Sequence, residues 1–196
     1  MTEHATAKEN ESDMWFRQRA ERFLRRIGVS ECQQVADIGC HNGRFTIPAA
    51  CIVGSCGTVY AIDKDKDALA NMKGRIKKES RQNIKVIKAD LAGVAFASLE
   101  RETIDVVLLY DVLHRGYLPE KPERRNMLQH VYRILKTGGI LSCFPTHLKK
   151  YGFTFEKFIG EIGEVGFTLE EETWSPIVHD GKLVRGRIFR FSKPLA

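Results

Sequence analysis

The chain has 196 residues, 43% hydrophobic and 29% charged, which is enough apolar material for one globular domain with a substantial core. Its apolar runs, such as Ile104 to Tyr110, are too short and too closely flanked by charge to span a membrane, and Met1 to Glu11 lacks the apolar stretch of a signal peptide, so the expectation is a soluble, cytoplasmic protein. The net charge of +6 rests on basic runs at Arg17 to Arg26 and Lys64 to Arg81, whose interleaved acids and helical spacing describe solvated helix faces better than a nucleic-acid footprint.

In chain order, Ser12 to Ile27 sets Trp15, Phe16, Arg19, Phe23 and Ile27 at helix-like intervals and stops at Gly28, which predicts a preface helix. Residues 1–30 are read as an N-terminal helical extension placed to act as a lid, and residues 31–196 as the main domain. Short apolar runs follow at Gln34 to Ile38, Thr58 to Ile62, Ile84 to Lys88, Ile104 to Leu109 and Ile140 to Phe144. Helical stretches separate them, at about Arg44 to Val53, Lys66 to Glu79, Leu91 to Leu99 and Glu120 to Leu135. Such alternation marks βαβ units, which wind right-handedly into a parallel sheet covered on both faces. The last of these helices carries Met127, Leu128, Val131 and Ile134 on one stripe, with Gly138-Gly139 as its expected left-handed stop. Beyond Pro145 come an amphipathic helix (Phe155, Phe158, Ile159, Ile162) and two strand-like runs, Phe167 to Thr173 and Leu183 to Phe191. The turn signal His179-Asp180-Gly181 lies between these two, predicting an antiparallel hairpin.

Five cysteines (Cys32, Cys40, Cys51, Cys56, Cys143) make no CxxC pair and no even set, so neither a disulfide framework nor a metal site is expected.

The informative stretch runs from Val35 to Phe45. A strand ends at Asp37, and a tight loop with Gly39 and Gly43 leads through Cys40, His41 and Asn42 into a helix, an arrangement that lets a backbone approach a ligand closely. A carboxylate ligand would meet the loop and helix amides there. The next strand ends in Asp63-Lys64, where a carboxylate is suited to accept two hydrogen bonds from ribose hydroxyls. Asp65, closer to the following helix, is its expected N-cap. The third strand closes on Ala89-Asp90-Leu91, the fourth runs through Tyr110 into Asp111-Val112-Leu113-His114, and Leu135-Lys136-Thr137-Gly138-Gly139 precedes the fifth.

The segment from Asp37 to Gly43 resembles motif I of the class I S-adenosylmethionine-dependent methyltransferases, usually an acid, any residue, then Gly-x-Gly-x-Gly; His41 stands at the middle glycine. Asp63 matches the family's ribose-binding acid, and Asp90 the acid that meets the adenine amino group. The residues after the fourth strand match the segment beside the transferable methyl, and Leu135 to Gly139 resembles the turn Leu-Lys-Pro-Gly-Gly with Thr137 in place of proline. The resemblance runs in order from Val35 to Phe144, and the hairpin extends it to the end. It implies an α/β, Rossmann-like three-layer sandwich with a mostly parallel seven-stranded sheet and a C-terminal antiparallel hairpin. It also implies S-adenosyl-L-methionine as cofactor, held by the loop residues Asp37, Gly39, Cys40, His41, Asn42 and Gly43 and by Asp63, Lys64, Asp90, Leu91 and Tyr110.

His114, with an unperturbed pKa near ~6.5 and a place just past the methyl-donor strand, and Asp111 are the candidate catalytic residues. No Asp/Asn-Pro-Pro-Tyr/Phe tetrad and no Pro-Cys pair follows the fourth strand, which disfavours amino groups of DNA bases, glutamine and cytosine C5 as acceptors. A small-molecule methyl acceptor is the favoured substrate, with Trp15, Phe16 and Tyr117 as candidate pocket walls and Arg115 to Pro122 as a second lid segment. An RNA methyltransferase and a non-catalytic cofactor-binding scaffold are the alternatives; the absent Gly-x-Gly-x-x-Gly and the terminal hairpin disfavour a dinucleotide oxidoreductase.

Overall fold

In the computed structural model, which describes residues 11–90, 99–114 and 116–195, the strand-like runs come together in one seven-stranded sheet. Strands β1 (Gln34–Ile38), β2 (Thr58–Asp63), β3 (Ile84–Lys88), β4 (Ile104–Tyr110) and β5 (Leu135–Phe144) are parallel, and β6 (Thr168–His179) and β7 (Lys182–Ser192) form an antiparallel hairpin on the β5 side. The order is β3-β2-β1-β4-β5-β7-β6. The chain starts at β1, steps outward to β3 and returns to β4, so a crevice opens where β1 and β4 lie side by side at their carboxyl ends. This is the α/β class that the alternation of runs predicts.

Alternation along the central strands sends side chains to two separate cores. Ala36, Ile38, Val107 and Leu109 face α5 (Lys121–Ile134) and α6 (Phe155–Gly163), where Met127, Val131, Phe158 and Ile162 are buried. Val35, Val59, Val106 and Leu108 face the other side, against Phe23, Leu24 and Ile27 of α2 (Ala20–Ile27) and Ala49 and Ile52 of α3 (Thr46–Val53). With both faces covered, β1 and β4 are buried along most of their length and are largely apolar, with Asp37 and Asp105 as exceptions. The fourth helix along the chain, α4 (Lys66–Lys78), is capped by Asp65, whose carboxylate accepts from the Asp67 and Ala68 amides as the sequence predicts. The helix expected at Leu91 to Leu99 lies, apart from Leu99, outside the described residues.

The structure departs from the sequence reading in four places. The preface helix is two helices, α1 (Glu11–Gln18) and α2, separated at Arg19, and Gly28 closes the second at φ +112° with its amide on Leu24 and Arg25 carbonyls. The rings of Trp15 and Phe16 do not line the crevice. They stack edgewise on each other and on Phe45, with Trp15 only 3% exposed, because this aromatic group fills the space between the two helices and β4. Third, α5 ends at Ile134 rather than at the glycines. Leu135 already pairs with Ile104, the next pairing is Ile140 with Val106, and the intervening residues bulge out of the ladder around Gly138 at φ +75°.

Finally, Cys32 and Cys56 are joined in a disulfide. Spacing along the chain hides this pair, but parallel register exposes it: Gln34 pairs with Thr58, so the residues two positions earlier face each other with Cα atoms 4.6 Å apart. Cys40, Cys51 and Cys143 are free thiols.

The hairpin overshoots the sheet. The pairing of β7 with β5 stops at Phe189 opposite Cys143, whereas β6 and β7 stay paired to His179 opposite Lys182, roughly 20 Å further on at the rise of a strand. Asp180 and Gly181 turn the hairpin with φ of +48° and +74°, the signature of a tight two-residue turn. Pro176 sits within β6 without penalty because β6 is the sheet edge. The tip thereby reaches the carboxyl edge, beside the crevice. Among the described residues no helix is long and apolar enough to cross a membrane.

Candidate active site

The crevice is a cavity of about 490 Å³. Following the strand order, its one end is made by the loops after β1, β2 and β3, including Asp37, His41, Asp63 and Asp90, and its other end by Asp111 after β4, Phe144, Tyr117 and the hairpin tip at His179 and Asp180.

At the first end, Asp37 is buried and accepts a 2.6 Å hydrogen bond from the Thr46 hydroxyl at the start of α3. Burial pushes its carboxyl up to about 7, against the pull of the Thr46 bond and with a smaller push from Asp63. Gly39 has φ +77°, and a Cβ there would lie 2.3 Å from Val112 Cγ2, so this glycine admits the side chain that follows β4. Cys40 is buried, and burial drives its thiol pKa upward. His41 takes φ +46°, the left-handed backbone that explains why glycine is usual at this place; its own amide donates to Asp63 Oδ2 at 2.7 Å. Asn42 lines the cavity, and its buried Oδ1 has no hydrogen-bond partner among the described residues. Gly43, at φ +79°, packs under Met72, where a Cβ would come within 2.6 Å. Asp63 Oδ1 accepts from the Asp65 amide at 2.9 Å, so each carboxylate oxygen holds one backbone bond and keeps further acceptor capacity. The Lys64 ammonium lies 5.7 Å from the centre of the Tyr117 ring. Asp90 also lines this end, whereas Leu91 lies outside the described residues. Tyr110 is buried with its hydroxyl 2.9 Å from Ser142 Oγ, and offers the cavity its ring.

At the second end, Asp111 has φ +56°, and its amide donates to the Phe144 carbonyl, which turns the side chain out of the strand. Burial, with Asp180 adding to it, raises its carboxyl to about 7. His114 sits behind Asp111 and is 4% exposed: its Nδ1 accepts from the Gly116 amide at 3.0 Å, and its Nε2 is 3.7 Å from Asp111 Oδ1. Burial first and His147 second bring its pKa down to about 4, so it is a neutral imidazole at pH 7 and its approach to Asp111 is a polar contact rather than an ion pair. His179 and Asp180 complete this end, with the exposed His147 beside them, its Nε2 3.9 Å from Asp111 Oδ2, and burial lowers the His179 pKa as well.

A family model described as a methyltransferase domain matches residues 30–157, which takes in the loop after β1, the acids after β2 and β3, and the segment after β4. The chain belongs to the class I S-adenosylmethionine-dependent methyltransferases. A demethylmenaquinone methyltransferase of Lactococcus lactis is 26% identical over 171 residues, covering 83% of this chain, and the chain spans 63% of that relative's length. Two solved structures share the fold: a SAM-dependent methyltransferase from Aquifex aeolicus (TM-score 0.73, 17% identity, 93% of each chain) and the N-methyltransferase NodS from Bradyrhizobium japonicum (TM-score 0.71, 19% identity, 94% of this chain and 99% of that one).

The first end of the cavity fits the family's cofactor on its own chemistry. Asp63 has acceptor capacity to spare for a ribose diol, Asn42 Oδ1 is an orphaned buried acceptor, and Asp90, with Asp37 when it is ionised, supplies the negative charge that a cationic nucleoside needs. The sequence reading did not single out Thr46, His147 or His179 as site residues. Thr46 reads as part of an apolar helix; His179-Asp180-Gly181 announces itself as a turn, and only the overshoot of the hairpin makes that turn part of a cavity wall.

Proposed function

We propose that this chain transfers a methyl group from S-adenosylmethionine to a small-molecule acceptor. The observation that carries the reading is a cavity of about 490 Å³, lined at one end by acceptors suited to the cofactor and narrowed by Phe144, Tyr117, Val178 and the hairpin tip at the other. That size sits within the roughly 300–1,000 Å³ of small-molecule clefts. The kinship to a demethylmenaquinone methyltransferase, which by its name acts on a small molecule, agrees with it.

When bound, the cofactor supplies an electrophilic sulfonium methyl and a thioether leaving group. The residues of the chain do the rest. Asp63 holds the ribose, Asn42 accepts from the amino-acid moiety, and Asp90 receives the adenine amino group. Phe45 and Tyr110 wall the cavity between its ends and, with Phe144 beside the acceptor, keep water from the reacting centre. Asp111 and His179 line the acceptor end and orient the incoming nucleophile, with His114 as a positioning residue that holds Asp111 from behind.

Calorimetry with S-adenosylhomocysteine, followed by transfer of isotopically labelled methyl from the cofactor into cell extract, tests the proposal. One-to-one binding and label in the low-molecular-mass fraction is the expected result. Absent binding overturns the enzyme reading, and label in RNA with a steep salt dependence replaces the acceptor class.

A further inference from the structure

The acceptor end holds a second constellation. Asp111, His147 and His179 come from three distant parts of the chain, the turn after β4, the loop after β5 and the last residue of β6, yet each presents one potential ligand atom within 4.8 Å of the others. Asp111 Oδ2 is 3.4 Å from His179 Nδ1 and 3.9 Å from His147 Nε2. These separations are long for hydrogen bonds, whose heavy atoms approach to about 2.7–3.2 Å. The shortest is that of two ligands sharing one ion, since with metal–ligand bonds near 2.0–2.2 Å two corners of a tetrahedron lie about 3.4 Å apart, and the exposed His147 side chain closes by a small movement to complete the set.

The surroundings are those of a ligand set. On the far side of the His179 ring, Nε2 is 3.4 Å from Asp180 Oδ2, so a carboxylate stands near the nitrogen that would not face the ion. Asp111 Oδ1 is buried with no hydrogen-bond partner among the described residues, and it faces His114 Nε2 at 3.7 Å, so the carboxylate presents Oδ2 forward while the imidazole stands behind it. Asp111 and His147 both adopt left-handed backbone, at φ +56° and +54°, a conformation uncommon for residues other than glycine.

We propose that Asp111, His147 and His179 bind a divalent transition-metal ion of the zinc class, through one carboxylate and two imidazoles, at the acceptor end of the cavity. Two nitrogens and one carboxylate oxygen suit zinc, iron(II) or cobalt(II) and are poorly matched to the all-oxygen shells of magnesium and calcium. Three protein ligands leave a coordination position, and since Asp111 and His179 line the cavity, that position takes an oxygen or sulfur atom of a small molecule. The ion site stands independently of methyl transfer; its use in orienting an acceptor hydroxyl or thiol rests on the function proposed above.

The test is cobalt(II) titration of chelator-treated protein without cofactor, read by visible absorption and calorimetry, with S-adenosylhomocysteine binding measured separately to report the cofactor end. One cobalt per chain, displaced by zinc, with affinity at least tenfold weaker in His147→Ala and His179→Ala and unchanged in Cys51→Ser, is expected. No saturable binding, binding indifferent to both histidine variants, or binding lost with Cys51→Ser overturns the site. Should a histidine variant fail to fold, X-ray absorption of the zinc-loaded wild type decides instead: imidazole and oxygen scatterers support the site, and a sulfur shell or the absence of imidazole refutes it.

Discussion

The two ends of the cavity are built by opposite means. At the cofactor end each loop contributes a short continuous segment, and much of its work is done by backbone: left-handed turns at Gly39, His41 and Gly43, and an amide of one loop held by the acid of the next. At the acceptor end no segment is sufficient alone. Asp111, His147 and His179 become neighbours only after the hairpin has been laid against β5 and its tip has run past the sheet. The first end is a property of local sequence; the second is a property of topology.

That difference governs how much was legible. The acid-loop-glycine pattern after β1, Asp63 closing β2, the Asp65 cap and the strand-helix alternation of an α/β fold could all be read from residues close together in the chain, because the physical reasons behind them act over a few residues. The disulfide between Cys32 and Cys56, the burial of Trp15 and the cluster of imidazoles could not, because each depends on a register or an overshoot that no local rule encodes. His114 shows the intermediate case: its position past β4 is plain in the sequence, but its place behind Asp111, with Nδ1 committed to the Gly116 amide, is not.

The sharpest way to break the comparison is Gly39→Ala. The added methyl would meet Val112 Cγ2 at 2.3 Å in a backbone at φ +77°, so strain and overlap together cost about 4 kcal/mol, read as a drop in urea midpoint with loss of S-adenosylhomocysteine binding. Adding Val112→Ala should recover about half of this, since it removes the overlap and leaves the backbone strain; no recovery would show that conformation alone dictates glycine there. Next in size is the disulfide. It closes a loop with a sequence separation of 24, so Cys32→Ser with Cys56→Ser should cost about 3 kcal/mol, or about 6–12 °C in melting temperature. Because the bond joins the amino ends of β1 and β2, opposite the cavity, cofactor affinity should hold; a parallel loss of affinity would mean that the two edges of the sheet are coupled. Asp63→Ala should weaken S-adenosylhomocysteine by about 1–3 kcal/mol while leaving cobalt titration of the other end unchanged, and an unaltered affinity would remove Asp63 from the ribose.

The most gradual effect is expected from pH, and at the cofactor end it runs through Asp37. Its carboxyl is held at about 7 in the folded chain chiefly by burial, against an ordinary value of 3.8. The folded state therefore binds the proton more tightly than the unfolded state, so this group's contribution to stability is complete below pH 4 and is lost as the pH rises toward 7, with a slope of at most about 1.4 kcal/mol per pH unit. Thr46→Val should raise the folded value further, because the hydroxyl that donates to the ionised carboxylate at 2.6 Å is gone and only the weaker backbone bond at residue 46 still opposes the burial. A cationic cofactor favours the ionised form, so S-adenosylmethionine should bind more tightly as pH rises through neutrality. S-adenosylhomocysteine, which lacks the sulfonium charge, should show a shallower dependence. Equal slopes for the two ligands would mean that Asp37 does not sense the charge on sulfur, and would limit its role to fixing the start of α3 through Thr46.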